Sequence, residues 1–229
     1  VILEFSAPNG YMSKLIMTAG DLSHYHRHDD DLAIYWQVGD AVVLGDGGLY
    51  LYDKTDKERE WIRSFRAHNV PFLQNTEAAR HRKELVRPPE LKVDRKNSRI
   101  IGKTWCYSGS CLRRVVNFSK INRMILKVKD QAVIEPRSIW GVNWFLPSNV
   151  LFEVEKNNRC LGAHFSFKGI KGSLLISGES GPEGIEVREK QGEDAFFSSR
   201  FGQKAPAKRI ETITNKDNAI TTLVRVWKS

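Results

Sequence analysis

The stretch "GAHFSFKGIKGSLLISG", residues 162–178, contains the pattern that decides the fold. Two short apolar-rich runs, "AHFSFKG" and "GSLLISG", lie on either side of the turn signal "KGIKG". Alternating apolar and polar side chains are typical of a β-strand with one buried face, and glycine-containing turns end such strands. The stretch therefore predicts two strands joined by a turn.

The same pattern recurs along the chain. Further strand-like runs are "DAVVLGDGG", "LYLYD", "RRVVNF", "RMILKVKD", "NVLFEVE" and "TTLVRVW", and further turn signals are "KNN", "SGESGPEG" and "NKDN". Only "NTEAARHRKEL", residues 75–85, favours a helix, with Asn75 or Thr76 as its cap. We therefore predict an all-β fold, a large antiparallel β-sandwich with few or no helices, as one domain over residues 1–229.

Composition narrows the class of partner. The 229 residues are 41% hydrophobic and carry a formal net charge of +9, and no apolar run reaches the roughly 20 residues of a membrane span. The charge predicts a polyanionic partner, either nucleic acid or acidic polysaccharide. The basic residues are spread along the chain, and no helix-turn-helix, finger or RNA-binding signature occurs. The first residues carry neither an initiator Met nor a secretion signal, so we expect a fragment of a longer protein.

Three cysteines, Cys106, Cys111 and Cys160, are too few for a disulfide scaffold, and their odd number leaves at least one free thiol. Cys106 and Cys111 could form a disulfide bond across a hairpin, but free, unreactive thiols are the favoured interpretation.

Histidines occupy every second position in "SHYHRHDDDL", residues 23–32. In an extended strand His24, His26, His28 and Asp30 would share one face, and residues four apart would be about 13 Å from each other. His24 and His28 are then too far apart to bind one ion, whereas neighbours about 6.5 Å apart can. Asp31 would point to the opposite face, as part of a solvated edge.

A metal site here needs further ligands, because zinc usually takes three or four from His, Asp, Glu and Cys. Asp46, in "LGDGGLYLYD", and His68, in "RSFRAHNV", are the candidates. A polar surface strand without a metal is the alternative.

Three linked motifs resemble those of the heparinase II/III-like family of polysaccharide lyases. "HRHDDDL" resembles the family's H-x-H-x-D-x-L, "DGGLYLY" resembles D-x-G-x-Y-x-Y, and "RSFRAHN" resembles R-S-x-x-A-H-N. A later segment, "SSRFG", resembles S-x-x-[YF]-G. The likeness is strong over residues 20–70 and weaker beyond. Members join an N-terminal α/α toroid to a C-terminal antiparallel β-sandwich, and this sequence resembles the second part only.

The resemblance implies a metal site and a role for each residue in it. His28, Asp46 and His68 would hold a structural metal, commonly zinc, and Asp30 would fix the metal-binding segment. His26 would be the catalytic residue, which neutralises a uronate carboxylate or assists proton transfer.

The implied reaction is β-elimination on an acidic, uronate-containing glycan, such as a glycosaminoglycan or an alginate-like polymer. Tyr50, Tyr52, Arg63 and Asn69 are candidates for sugar contact, with core packing or a solvated loop as the alternative for the first three. The family's Tyr and Asn or His partners lie on the toroid, so we expect this chain alone to be inactive.

Two other functions stay open. One is a non-catalytic carbohydrate-binding or structural module linked to surface-polysaccharide metabolism, and the other, supported by charge alone, is a nucleic-acid binder. We expect a bacterial protein, periplasmic or extracellular, with acidic polysaccharide and the toroid as partners, without nucleic acid and without a membrane span.

Overall fold

The computed structural model describes residues 1–6, 10–20, 27–79, 87–147, 151–156, 161–167 and 170–228. Within these ranges the chain forms sixteen β-strands and one α-helix. The strands are β1 Ile2–Ser6, β2 Met12–Met17, β3 Ile34–Val38, β4 Ala41–Leu44, β5 Pro71–Leu73, β6 Glu90–Asp94, β7 Arg99–Thr104, β8 Cys111–Asn117, β9 Ile125–Val133, β10 Trp140–Pro147, β11 Leu151–Lys156, β12 Leu161–Phe167, β13 Ile170–Gly178, β14 Glu186–Arg200, β15 Gln203–Thr214 and β16 Ala219–Lys228. The helix α1 is Lys57–Arg63, and short 3-10 turns occupy Phe65–Ala67, Ile121–Arg123 and Pro182–Gly184.

The strands form three sheets. The largest has eight strands in the order β11-β12-β13-β16-β9-β8-β7-β6, and two four-stranded sheets have the orders β1-β2-β3-β4 and β14-β15-β10-β5. Neighbouring strands within each sheet run antiparallel. Strands β12 and β13 pair from Leu161 opposite Ile176 to Phe167 opposite Ile170, as the alternation of residues 162–178 predicts.

One hydrophobic core is shared by all three sheets. Its buried members include Trp36 on β3, Trp140 and Trp144 on β10, and Leu126 and Val224 on the eight-stranded sheet. Burial alternates along β8 and β9, so every second side chain of these strands faces the core. The prediction of an all-β sandwich is therefore confirmed.

Two local predictions were wrong. Residues 75–79 are not helical, since Asn75 adopts φ 58° in a turn, and residues 80–85 of the predicted helix lie outside the described ranges. Residues 49–53, "LYLYD", form no strand. Their backbone bonds instead to the turn between β14 and β15, where the Gly202 amide donates to the Tyr50 carbonyl.

The helix forms at Lys57–Arg63, where Asp56 caps the first turn by accepting a 2.8 Å hydrogen bond from the Arg59 amide. Cys106 and Cys111 are free thiols, as favoured, and Cys160 lies outside the described residues. Within the described ranges, none of the helices has the length and apolar character that a membrane crossing would require.

Candidate metal centre

Two loops and a short turn meet at the predicted site. Asp46 follows β4, and His68 ends the 3-10 turn Phe65–Ala67. The Gly47 amide donates to the Ala67 carbonyl over 2.7 Å, which places the two segments side by side. The Asn143 side-chain amide, on β10, donates to the carbonyls of Phe65, Arg66 and His68 and so fixes the turn to the sheet beneath it.

His68 and Asp46 form a hydrogen-bonded pair, with 2.7 Å between His68 Nδ1 and Asp46 Oδ2. The His68 side chain is 1% exposed and that of Asp46 is 42% exposed, so the carboxylate separates the imidazole from solvent. Among the described residues, His68 Nε2 is buried without a hydrogen-bond partner.

The pair shifts both pKa values in the direction of an ion pair. Burial by itself lowers the pKa of His68, but Asp46 and Asp30 outweigh it, so the net shift is upward. Burial by itself raises the pKa of Asp46, but the charge and hydrogen bond of His68 outweigh it, and the net shift is downward. The charged forms of His68 and Asp46 therefore stabilise each other.

His28 lies against this pair, with its ring centroid 5.2 Å from that of His68. The segment carrying it is anchored by a 2.7 Å hydrogen bond from the Asp29 amide to the Arg63 carbonyl. Residues 27–30 are not in a strand, because a turn follows in which Leu32 adopts φ 67°, so the extended geometry expected there was wrong. His24 and the catalytic candidate His26 lie outside the described residues.

Asp30 and Asp31 have different environments. Burial raises the pKa of Asp30, and the nearby carboxylates of Asp31 and Asp46 add to the rise while His68 opposes it, so Asp30 lies close to the cluster. Asp31 is 6% exposed and accepts hydrogen bonds from Arg27 Nη2 at 2.9 Å and Thr104 Oγ1 at 2.7 Å. The prediction that Asp31 belongs to a solvated edge was therefore wrong, because a buried arginine neutralises it.

The donor set fits zinc, although no group of three His, Cys, Asp or Glu side chains in the described part of the chain has the arrangement of a metal site. Imidazole and carboxylate are ligands that zinc takes. Asp46 Oδ2 and His68 Nδ1 lie 2.7 Å apart, so these two atoms face a common point at which one ion can contact both. The structure thus brings His28, Asp46 and His68 together.

The other predicted residues have separate roles. The Arg63 guanidinium donates to the Arg27 carbonyl at 3.1 and 3.3 Å and to Glu60 at 2.8 Å. Asn69 is fully buried, and its side chain bonds the backbone of Ile34, Gly45 and Phe145, which joins strands in the interior.

The two tyrosines lie on the loop after Asp46. Tyr50 is half-buried, with its ring edge-on to Phe196 at 6.1 Å, whereas Tyr52 is 53% exposed and lies 5.2 Å from the ring of Phe201. Ser198, within the "SSRFG" segment, donates its amide to Gly47 and its hydroxyl to the Leu49 carbonyl. The late motif therefore supports the loop of the early one.

Sequence reasoning missed Arg27 and Thr104, which hold Asp31 beside the cluster. Arg27 stands between two motif histidines in "HRH", and that position was its only signal. Thr104 carried no sequence signal, because it lies 73 residues from Asp31 along the chain.

The fold and the cluster define an antiparallel β-sandwich with a His–Asp site at the ends of its strands, and comparison with known proteins identifies the family. The family "Heparinase II/III-like, C-terminal" matches residues 5–224. The chain therefore belongs to the heparinase II/III-like C-terminal family. No curated protein matches it in sequence.

Solved structures share the fold at low identity. Heparan sulfate lyase HepC from Pedobacter heparinus is similar with a TM-score of 0.79 and 17% identity, over 100% of this chain and 35% of that one. A heparinase III gene product gives a TM-score of 0.77 at 16% identity, over 100% and 36%. Another heparinase III structure gives 0.76 at 13% identity, over 99% and 35%. The chain thus spans about a third of the length of these proteins.

Proposed function

We propose that the chain is the β-sandwich domain of a polysaccharide lyase that cleaves acidic, uronate-containing glycans by β-elimination. The observation that carries the proposal is the cluster of His68, Asp46 and His28, in a chain of the heparinase II/III-like C-terminal family. The similar solved structures are named as heparan sulfate lyase and heparinase III, which supports an acidic glycan as the substrate class.

In this proposal His28, Asp46 and His68 hold a zinc ion, and Asp30 supports the segment between them. The ion, when bound, supplies structural anchoring of the loops. The protein contributes the Asp29–Arg63 backbone bond, which restrains residues 27–30. His26 precedes His28 by two residues in the sequence.

His26 is the proposed catalytic residue. β-Elimination removes the proton at C5 of a uronate, forms a C4–C5 double bond from the released electron pair and breaks the bond from C4 to the glycosidic oxygen, which takes up a proton. The C5 proton becomes acidic only when the neighbouring carboxylate is neutralised, and an imidazole can do this or move the proton. Tyr50, Tyr52 and Arg63 would contact the sugar.

A toroid domain in the same parent protein would supply the remaining Tyr and Asn or His, so residues 1–229 are proposed as one domain that is catalytically inactive by itself. We propose a bacterial, periplasmic or extracellular protein on the same basis, the family resemblance. The second candidate is a non-catalytic glycan-binding module, favoured by the exposed Tyr52 and Phe201 rings, which form a sugar-sized aromatic surface without the histidine cluster.

The first test is the metal content of the purified chain. Elemental analysis should find about one zinc per chain, and His28→Ala and His68→Ala should each lose it. His164→Ala is the matched control, because His164 is exposed on β12, and it should retain the metal. Absence of zinc from the unmodified chain, even after zinc is added, would contradict the metal assignment.

The second test is elimination by the full-length parent on heparan sulfate, followed through the ultraviolet absorbance of the unsaturated uronate product. Loss of activity in His26→Ala, with zinc content unchanged, would support catalysis by His26. Glycan binding without any product would favour the module instead.

A further inference from the structure

A second cleft lies apart from the histidine cluster. It is formed by α1, the Phe65–Ala67 turn, β5, β14 and β15, and has a volume of about 820 Å³. None of His28, Asp30, Asp46 and His68 lines it. Its basic lining residues are Lys57, Arg66, Arg188, Lys190 and Arg209, and its aromatic ones are Trp61, Phe65 and Phe72.

Strand register brings three of the cations together. In the β14–β15 pair Arg188 lies opposite Glu211 and Lys190 lies opposite Arg209, so all four side chains share one face. Arg66 enters from the turn across the cleft. Burial lowers the pKa of Arg209, the charge and hydrogen bond of Glu211 oppose this fall, and the nearby charge of Arg66 adds to it.

Two cations of the cleft, Lys190 and Arg66, and one nitrogen of a third, Arg209, have no acceptor among the described residues. Arg209 is 3% exposed, and its Nη1 donates to Glu211 at 2.8 Å and to Asn143 Oδ1 at 3.4 Å, whereas its Nε is buried without a partner among the described residues. Within the described ranges, Lys190 and Arg66 make no ion pair with a carboxylate. Burying a charged donor without an acceptor is unfavourable, so a bound anion that accepts from Arg209 Nε would stabilise the arrangement.

The acidic residues of the cleft equal its basic residues in number, but three of the five already have other partners. Its carboxylates are Asp56, Glu60, Glu77, Asp194 and Glu211. Asp56 caps α1, Glu60 binds Arg59 and Arg63, and Glu211 is shared by Arg209 at 2.8 Å and Arg188 at 3.8 Å. Glu77 and Asp194 are exposed.

We propose that this cleft binds a sulfate or carboxylate group of an anionic glycan, as an ancillary binding site separate from the His28–Asp46–His68 cluster. Arg209 Nε, Lys190 and Arg66 donate to the anionic group, and the half-buried rings of Trp61 and Phe65 contact the sugar. The glycan class rests on the proposed function, whereas the anion site rests on the cleft itself. Such a site would hold a long polymer on the domain between cleavage events.

The test uses two variants of the 229-residue chain that carry equal charge. Arg66→Gln/Lys190→Gln removes two donors of the cleft, and Arg225→Gln/Lys171→Gln removes two exposed cations of the eight-stranded sheet. Calorimetric titration with a heparin tetrasaccharide should show binding weakened at least about tenfold in the first variant and less than about twofold in the second. A hyaluronan tetrasaccharide, which has carboxylates and no sulfates, identifies which group the cleft prefers.

Arg209 gives a direct readout that does not depend on the proposed lyase. In the ¹⁵N-labelled chain, inorganic sulfate and the heparin tetrasaccharide should both shift the Arg209 Nε–H resonance, which Arg209→Lys identifies by its absence. Equal loss of affinity in the two charge variants, no binding of either oligosaccharide, or an unmoved Arg209 signal would overturn the ancillary site. Zinc content and elimination activity report on the histidine cluster alone, so failure of one proposal is distinguishable from failure of the other.

Discussion

Arg114 is a charged residue buried in the core of this sandwich. Its side chain is 0% exposed, as is that of Asp130, and Arg114 Nε and Nη2 donate to the two oxygens of Asp130 at 2.6 and 3.0 Å. Arg114 Nη1 also donates to the backbone carbonyls of Leu32 and Asn69. The guanidinium therefore links the eight-stranded sheet to the two segments that carry Asp31 and His68.

We expect Arg114→Met to lower the free energy of unfolding by about 3–5 kcal/mol, because it leaves a buried carboxylate and two carbonyls unpaired. Burial already raises the pKa of Asp130 although Arg114 opposes the rise, so the variant should protonate Asp130 at a still higher pH. Urea denaturation measures the change. Lys14→Met, which removes an exposed partner of Glu4, is the control and should change stability by less than about 1 kcal/mol. A loss for Arg114→Met no larger than in this control would contradict the structural role.

The two described thiols should differ in reactivity. Burial raises the pKa of Cys106 to about 12, and nearby Asp31 adds to the rise, whereas Cys111 is only half-buried. Because the thiolate is the reactive form, iodoacetamide at pH 8 should modify Cys111 well before Cys106 in the folded chain, and both equally in guanidinium. Peptide mass spectrometry measures this, and early modification of Cys106 would contradict the burial.

The same shift predicts a pH dependence of stability. The folded state keeps Cys106 protonated above the ordinary thiol pKa of 9.0, so the unfolded state loses its proton first. The stabilisation is complete below about pH 9 and is lost as the pH rises towards 12. Cys106→Ala should flatten this part of the stability profile, and an unchanged profile would contradict the shift.

At the scale of elements, the loop after β4 depends on Gly48. This residue adopts φ +74°, and a Cβ added to it would lie 2.3 Å from the Ser198 carbonyl oxygen on β14. Its amide also donates to Asp46 Oδ1 at 2.8 Å. Gly48→Ala must therefore strain the backbone and push the loop away from the sheet.

We expect Gly48→Ala to destabilise the chain by about 2–4 kcal/mol and to weaken zinc binding, because Asp46 moves with the loop. Gly10→Ala is the matched control, since Gly10 has φ +78° and nothing within 4 Å of an added Cβ. The control isolates backbone strain, which we expect to be about 1 kcal/mol. Equal losses of stability in urea for the two variants would show that the Ser198 contact is not limiting.

The sequence predicted those elements whose burial alternates with period two. Strands β8, β9, β13 and β16 coincide with runs that were recognised, because each has one face in the core. The helix α1 was missed, since "KEREWIR" buries only Arg59 and Ile62, although its Asp56 cap was a usable signal. The polar start of β14, "EVREKQGED", was missed because most of that segment is exposed.

Only the residues of the candidate site that belong to family motifs could be predicted from the sequence. The resemblance grouped His28, Asp46 and His68, and the structure brings them together. The cleft of Arg66 and Arg209 joins segments more than a hundred residues apart, and no local pattern encodes such a meeting. Tertiary contact between the Phe65–Ala67 turn and the β14–β15 pair therefore determined the part that the sequence could not provide.

At the scale of the whole molecule, the net charge of +9 and its distribution allow two kinds of polyanion binding. Dispersed surface cations bind any polyanion by releasing its counterions, and that attraction falls steeply with salt. A cleft with buried donors retains part of its affinity, because hydrogen bonds to a desolvated group are screened less. The two mechanisms should therefore separate in a salt titration.

We expect duplex DNA to bind the chain only at low salt, with affinity falling by a factor of about 10³ or more between roughly 50 and 200 mM. A heparin tetrasaccharide should show a shallower slope of log Kd against log salt, since fewer counterions are released and the Arg209 cleft contributes. Fluorescence anisotropy measures both, and we expect Arg66→Gln/Lys190→Gln to weaken glycan binding at every salt concentration and to leave DNA binding nearly unchanged. DNA binding that persists at 200 mM, with a slope as shallow as that of the glycan, would instead support a nucleic-acid partner, because dispersed charge alone cannot resist screening at that concentration.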